Sequence, residues 1–293
     1  MKKVLVVGSL NMDYTLYIDK FPQKGETIFG KSRFIQPGGK GANQAAAIAK
    51  SGLCECVFQG SIGKDNDGKT FLSTLKSLGI DTQYIKISEK ETGNATIIVD
   101  SSSENEIVIF SGANGNLLPE DINEELIQSV DYIVLQNEIP QETNEYVIKL
   151  ASQSHAKIIY NPAPYREINP DLFQYIDYFV PNEVELFSYA SKDSFEDSIH
   201  SLLNLGIKNL IVTLGTKGSY FISKEKELKV DAFKVKAVDT VAAGDTFVGY
   251  FVAALAAGKD EKAAMIIASK ASSITVTRKG SIVSIPLGNE IRL

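Results

Sequence analysis

The sequence predicts an α/β fold, a mostly parallel sheet covered on both faces by helices, and three observations carry that prediction. Apolar runs of strand length alternate with amphipathic stretches of helical period almost from end to end. Glycines at positions 52 and 79 close the helical stretches at 42–50 and 70–78, where a helix stops in the left-handed region. Two segments, at about 13–36 and 94–111, break the alternation and show an apolar period of two around turn residues.

Taken in order, residues 4–7 form a buried first strand, 42–50 an Ala-rich helix, 55–59 a second strand and 70–78 a second helix. The segments 13–36, turning at Pro22-Gln23-Lys24-Gly25, and 94–111, turning at 101–105, read as antiparallel hairpins. A lone hairpin does not hold together in water, so the two are expected to pair into a small sheet leaning over one edge of the main one. Such a sheet serves as a lid, as a homodimer surface, or as both. Helix–strand units follow at 122–130 with 132–135, 141–151 with 157–160, and 195–205 with 209–214, and two long helices at 243–257 and 261–275 end the fold.

Composition narrows the function classes. The 293 residues carry 30 Lys+Arg against 36 Asp+Glu, a net charge of -6, so the overall field repels nucleic acid. The N-terminal run meets Asp13 without a cleavage site, and the apolar stretch 241–258 is interrupted by Asp245 and falls short of the roughly 20 residues a bilayer needs. A soluble, cytoplasmic chain with no membrane partner is expected. Cys54 and Cys56 read as buried thiols, and His155 and His200 are too few and too polar in context for a His-based triad or metal site.

Four glycine-rich segments are candidates for chemistry. Gly63-Lys64-Asp65-Asn66-Asp67-Gly68-Lys69-Thr70 matches a phosphate-binding loop formally, but Asp65 and Asp67 would repel an anion there, so a surface turn and an Asp-capped helix are expected. In Pro37-Gly38-Gly39-Lys40-Gly41-Ala42-Asn43 the glycines allow close approach of a ligand and Asn43 offers an amide to hydroxyl groups, which suits a polyhydroxylated molecule. In Asp239-Thr240-Val241-Ala242-Ala243-Gly244-Asp245 the small residues leave backbone N–H groups free at the positive end of a helix, and Asp245 is placed to accept a proton from a hydroxyl. Thr213-Leu214-Gly215-Thr216-Lys217-Gly218 ends a strand in a turn able to hold nucleotide phosphates, or is a simple hairpin turn.

Together these segments resemble the ribokinase-type (PfkB) family of sugar and nucleoside kinases, in order and spacing over essentially the whole chain. The family's sugar motif is matched by Gly8-Ser9-Leu10-Asn11-Met12-Asp13, its Gly-Gly signature by Gly38 to Asn43 and its C-terminal signature by Asp239 to Phe247. The stretches Asn161-Pro162-Ala163-Pro164, Pro181-Asn182-Glu183-Val184-Glu185 and Thr277-Arg278-Lys279-Gly280 are similar to further family segments.

The resemblance implies a single three-layer domain over 1–293 with a small β-sheet lid, and ATP-dependent phosphorylation of the 5-hydroxyl of D-ribose. Deoxyribose, fructose or a nucleoside is the alternative acceptor. It implies that Asn11, Met12, Asp13, Gly39, Lys40, Gly41, Ala42, Asn43 and Glu138 hold the sugar beside Asp245, the general base. Ala242, Ala243, Gly244 and Asp245 would form the anion hole, and Asn182, Thr213, Leu214, Gly215, Thr216, Lys217, Gly218, Gly244 and Ser269 the ATP site. Asn182 and Glu185 would place Mg²⁺, and Asp239, Val241, Thr275, Arg278, Gly280 and Ser284 would form a K⁺ site ordering the 239–244 loop.

Two departures from the family pattern stand out. Ser269 falls where members often carry a larger polar residue near the adenine, and Ala242 replaces a common Gly, which a helix start accommodates with φ negative. Two other classes fit poorly. A non-catalytic sugar sensor needs no Asp245, Asn182 or Glu185, and a dinucleotide-binding dehydrogenase needs a G-x-G-x-x-G that the first strand lacks.

Overall fold

The computed structural model describes residues 1–102 and 104–291. The turn expected at 101–105 includes residue 103, and the expected domain includes 292 and 293; these three lie outside the described residues.

The chain begins with β1 (Lys3–Val7), β2 (Asn11–Tyr17), β3 (Ser32–Gly38), α1 (Lys40–Ser51), β4 (Glu55–Gly63), α2 (Asn66–Ser77) and β5 (Asp81–Ser88). It continues through β6 (Gly93–Val99), β7 (Asn105–Phe110), α3 (Glu124–Ser129), β8 (Tyr132–Gln136), α4 (Gln141–Ala151), β9 (Lys157–Asn161) and β10 (Tyr178–Phe179). The last third holds α5 (Glu183–Ala190), α6 (Phe195–Asn204), β11 (Asn209–Thr213), β12 (Ser219–Ser223), β13 (Glu227–Val230), α7 (Ala243–Ala256) and α8 (Glu261–Thr275).

Nine strands form the main sheet in the order β13-β12-β11-β10-β9-β8-β1-β4-β5. Pairing is parallel from β5 to β11, and the last two pairings, β11 with β12 and β12 with β13, are antiparallel. The uninterrupted apolar run of β1 has its reason here, because both faces of the strand are covered. Val4 and Val6 pack with Ala45 and Ile48 of α1 and with Phe251 of α7 in one core, while Leu5 and Val7 pack with Ile127 of α3 and Val147 of α4 in the other.

The helix stops are where the glycines put them, with Gly52 in the left-handed region at φ 68° closing α1. Helix α2 starts at Asn66, four residues before the expected start, because Asp65 caps it by accepting from Gly68 N at 2.8 Å. The other Asp65 oxygen takes Thr92 N at 2.7 Å, so the phosphate-loop match is a strand end and a carboxylate-capped helix. Strand β4 runs on past the expected end at 59 to Gly63, its polar Gln59 and Ser61 being buried in the sheet. Helix α3 is shorter than expected. Cys54 and Cys56 are buried free thiols. Among the described residues no helix is long and apolar enough to cross a membrane.

The two hairpins form a second sheet in the order β3-β2-β6-β7. Each hairpin is antiparallel, and they join through a parallel β2–β6 pair that sets Asn11 opposite Gly93. Only three residues separate β1 from β2, so this sheet is rooted at the carboxyl end of β1.

Candidate active site

The order of the main sheet reverses between β1 and β8: β4 and β5 extend it one way, β8 to β11 the other. Open α/β sheets bind ligands in the crevice at the carboxyl ends of the strands where this reversal occurs. Here the crevice is edged by Gly8 to Asn11 after β1 and Glu138 after β8. Glu138 Oε2 accepts from Ser9 Oγ at 2.5 Å, from Lys40 N at 2.9 Å and from Asn11 Nδ2 at 3.3 Å. One oxygen thus joins β1, β2, α1 and β8, and Oε1 has no partner among the described residues.

Strand alternation puts Asn11 and Asp13 on one face of β2 and Met12 on the other. Met12 belongs to the hydrophobic core, so its side chain lies on the face of β2 opposite to Asn11 and Asp13. Asn11 is braced by Asn114, whose Nδ2 donates to Asn11 Oδ1 at 2.8 Å and whose Oδ1 accepts from Leu10 N at 2.9 Å. Asn114 was missed from sequence because it lies in a short 3-10 turn, Gly112–Asn116, outside every motif.

Asp13 is buried and its carboxylate has no hydrogen-bond partner among the described residues. Its carboxyl is pushed up to about 7, first by burial and then by the Glu138 and Asp245 carboxylates. Gly38 on β3 is what makes room for it, since a Cβ there would lie 2.1 Å from Asp13 Oδ2. Gly39, at φ 85°, turns the chain from β3 into α1.

The amides of Gly41 and Ala42 bond to Ser9 Oγ at 3.2 Å and Ser9 O at 2.9 Å, and the Ala42 side chain is in the core; these two residues shape the crevice by their backbone. Burial opposes the charge on Lys40, but Asp245, Glu138 and Glu185 together hold its ammonium above the usual lysine range. Asn43 Nδ2 donates to Asp245 Oδ2 at 2.9 Å, and Asn43 Oδ1 is buried without a partner.

Asp245 lies in the first turn of α7. Its Oδ1 accepts from Gln44 Nε2 at 2.9 Å, a contact absent from the motif reading because Gln44 faces inward on α1. In the same turn the N–H groups of Ala242, Gly244 and Asp245 find no acceptor among the described residues, while Ala243 N reaches Thr240 O at 3.3 Å. Ala242 departs from expectation: its φ is 60°, in the left-handed region and not negative.

Beyond this turn opens a cavity of about 570 Å³ whose lining includes Asn182, Thr213, Gly215, Thr216, Gly218, Gly244 and Ser269. Leu214 and Lys217 are not part of that lining, and the Lys217 ammonium turns away to Glu183 at 3.3 Å. The apolar side of the cavity comes from Phe233, Val235, Phe247 and Val276. Phe233 and Val235 were missed because they lie in an irregular segment without periodicity.

Asn182 and Glu185 form a reciprocal cap on α5, with Glu185 N to Asn182 Oδ1 at 2.8 Å and Asn182 N to Glu185 Oε2 at 2.9 Å. Burial raises the Glu185 carboxyl against the opposing pull of that cap and of Lys40. The pair offers oxygen donors only, Glu185 Oε1 still open, which fits a hard cation such as Mg²⁺.

Around Asp239 the K⁺ candidates are partly gathered: Oδ1 takes Val241 N and Oδ2 takes Gly280 N, each at 3.0 Å. The carbonyls of Asp239, Val241, Arg278 and Gly280 accept nothing among the described residues, and such unpaired carbonyl oxygens suit an alkali cation. Three side chains point elsewhere. The Arg278 guanidinium pairs with Glu290, Thr275 Oγ1 contacts Thr246 Oγ1 at 3.1 Å, and Ser284 Oγ donates to Ser281 O at 2.7 Å.

Residues 1–287 match the family described as pfkB family carbohydrate kinase. The chain belongs to that family. It is 37% identical to a ribokinase of Staphylococcus aureus over 299 residues, covering 99% of this chain and 98% of that protein. It is 36% identical to a deoxyribokinase of Salmonella typhimurium over 292 residues, covering 97% and 95%. Its structure superposes on that of Arabidopsis thaliana ribokinase complexed with ribose and ATP with a TM-score of 0.93 at 32% identity, covering 99% and 97%. The ribokinase-like α/β fold with its smaller second sheet is thereby shown, and the chain is a sugar kinase.

Proposed function

We propose that this pfkB-family kinase transfers the γ-phosphoryl group of ATP to the 5-hydroxyl of D-ribose, with Asp245 as general base. The observation that carries the reading is the position of Asp245. It is bonded to Asn43 from the hydroxyl-binding crevice on one side, and on the other it adjoins Ala243 and Gly244, which line the nucleotide-sized cavity.

The acceptor hydroxyls have a partner in the Asp13 carboxylate, which has none of its own, beside Asn11 and Glu138 at the edge of the crevice. With the sugar so held, Asp245 accepts the proton of the attacking hydroxyl as its oxygen bonds to the γ-phosphorus and the bond to the ADP oxygen breaks. The free N–H groups of Ala242, Gly244 and Asp245 receive the charge that collects on the phosphoryl oxygens. Asn182 and Glu185 would hold Mg²⁺, which offsets phosphate charge when bound, and the carbonyls around Asp239 would hold K⁺ and order the anion-hole loop.

The pairing of two copies through the lid sheet belongs to the same reading, supported by the exposed apolar residues of β7. The similarity to a deoxyribokinase, near that to a ribokinase, makes 2-deoxyribose the competing acceptor. A coupled ADP-release assay with Mg-ATP and K⁺ on ribose, 2-deoxyribose, fructose and adenosine tests the proposal. Ribose is expected to give the highest kcat/KM; preference for another acceptor moves the substrate assignment, and turnover of none removes it.

A further inference from the structure

We propose that Gln44 is the positioning residue of the catalytic carboxylate, a role that rests on the reading of Asp245 as the base. Gln44 is fully buried on α1 and touches neither crevice nor cavity. Its Nε2 donates to Asp245 Oδ1 at 2.9 Å and to Asn161 Oδ1 at 3.0 Å, and its Oε1 accepts from Gln136 Nε2 at 2.8 Å. Both amide hydrogens are therefore committed.

The partners also decide which way the amide faces. Turned over, Oε1 would confront the oxygens of Asp245 and Asn161, and Nε2 would confront the donor of Gln136. Asn161 is itself fixed in orientation, since its Nδ2 donates to Val180 O at 2.8 Å. Gln136 and Asn161 are the last residues of β8 and β9 and stand opposite each other in the sheet. Through Gln44, the base on α7 is thus referred to the rigid end of the main sheet.

Packing makes the contact possible. Helix α7 lies so close to α1 that a Cβ on Gly249 would be 2.5 Å from Ala47 Cβ and 2.7 Å from Gln44 O. Asn43 ties the other oxygen of Asp245 but leaves its own Oδ1 buried and unpartnered, whereas every polar atom of Gln44 is committed to the tie that runs from Asp245 to the sheet. With Gln44 removed, the carboxylate keeps one tie and turns about its last torsion, so its lone pair is no longer held toward the hydroxyl.

The test is a pair of substitutions read separately and together. Gln44→Met, similar in length and without a donor, is expected to lower kcat by about 10- to 100-fold while leaving the KM for ribose and for ATP within about threefold. Asp245→Asn alone is expected to lower kcat by about two to four orders of magnitude. On that background Gln44→Met is expected to cost less than about a further twofold, because there is no carboxylate left to aim.

A merely structural role would lower the melting temperature and multiply through both backgrounds alike, and that outcome overturns the inference. So does a Gln44→Met enzyme with near-parental kcat while Asp245→Asn is inactive. Near-parental turnover of Asp245→Asn sinks the base reading itself and this inference with it. Should Gln44→Met fail to fold, Gln136→Leu removes the bond to Gln44 Oε1 from outside the crevice. A loss of about three- to tenfold in kcat that disappears beside Asp245→Asn is then expected, and unchanged kcat counts against the proposal.

Discussion

Asp13, proposed to meet the sugar, carries a burial cost for the fold. Its carboxyl titrates at about 7 in the folded enzyme against a reference of 3.8, because burial and the Glu138 and Asp245 carboxylates disfavour the charge. Between those two values the folded state binds more protons than the unfolded one, so this group's contribution to stability falls as pH rises from about 4 to about 7 and is level above. Replacing Asp13 by Asn is therefore expected to raise the melting temperature at pH 8, by an amount worth up to a few kcal/mol, with the gain vanishing toward pH 4. The same variant should lose most of its affinity for ribose. In the proposed function sugar hydroxyls donate to the ionised carboxylate and favour it, so ribose binding near pH 6.5 should release protons and tighten as pH rises. Calorimetry in buffers of different ionisation enthalpy measures that release, and a pH-independent affinity without proton release would contradict the assignment.

At the scale of the element, the start of α7 carries a conformational penalty. Ala242 occupies the left-handed region at φ 60°, which costs a residue with a Cβ about 1–2 kcal/mol relative to one without. Ala242→Gly is expected to raise the unfolding free energy measured by urea slightly, by no more than about 1 kcal/mol once the entropy of the unfolded chain is counted, and to leave kcat within about twofold. A destabilised variant would show that the backbone is not under strain there.

This turn also marks where sequence reading stops. The helices were legible because Gly52 and Gly79 stop them and apolar residues recur at helical spacing. The crevice was legible because Gly38 to Asn43 and Asp239 to Asp245 are local motifs. The sign of φ at Ala242 was not, since it is decided by how the 238–242 loop is hung from Val276 O and Gly280 N. Neither were Gln44 and Asn114, whose partners lie more than 90 residues away in sequence. Lys217 and Met12 stand inside motifs, yet Lys217 turns to Glu183 and Met12 into the core, which spacing alone does not reveal.

At the scale of the whole molecule, the smaller sheet leaves more of its large apolar side chains in water than the main sheet does. On β7, Ile107 is 54% exposed, Val108 68%, Ile109 50% and Phe110 51%, and the strand is also an unpaired edge. Alternation puts Ile107 and Ile109 on one face and Val108 and Phe110 on the other, so no single helix or loop of the same chain covers both. A second copy brought in by a two-fold axis covers the edge and a face together, which is the arrangement self-complementary dimers use. The parent enzyme is therefore expected to run as a dimer in light scattering, and the pair Val108→Lys with Ile109→Glu to run as a monomer. The catalytic consequence follows from connectivity: β7 braces β6, β6 braces β2, and β2 carries Asn11 and Asp13. Loosening that chain of strands should raise the ribose KM several-fold while kcat changes little, since Asp245 and its ties to α1 lie in the main body. A parent that is monomeric at assay concentration, with full affinity for the sugar, would show that the lid sheet closes over the crevice without a partner.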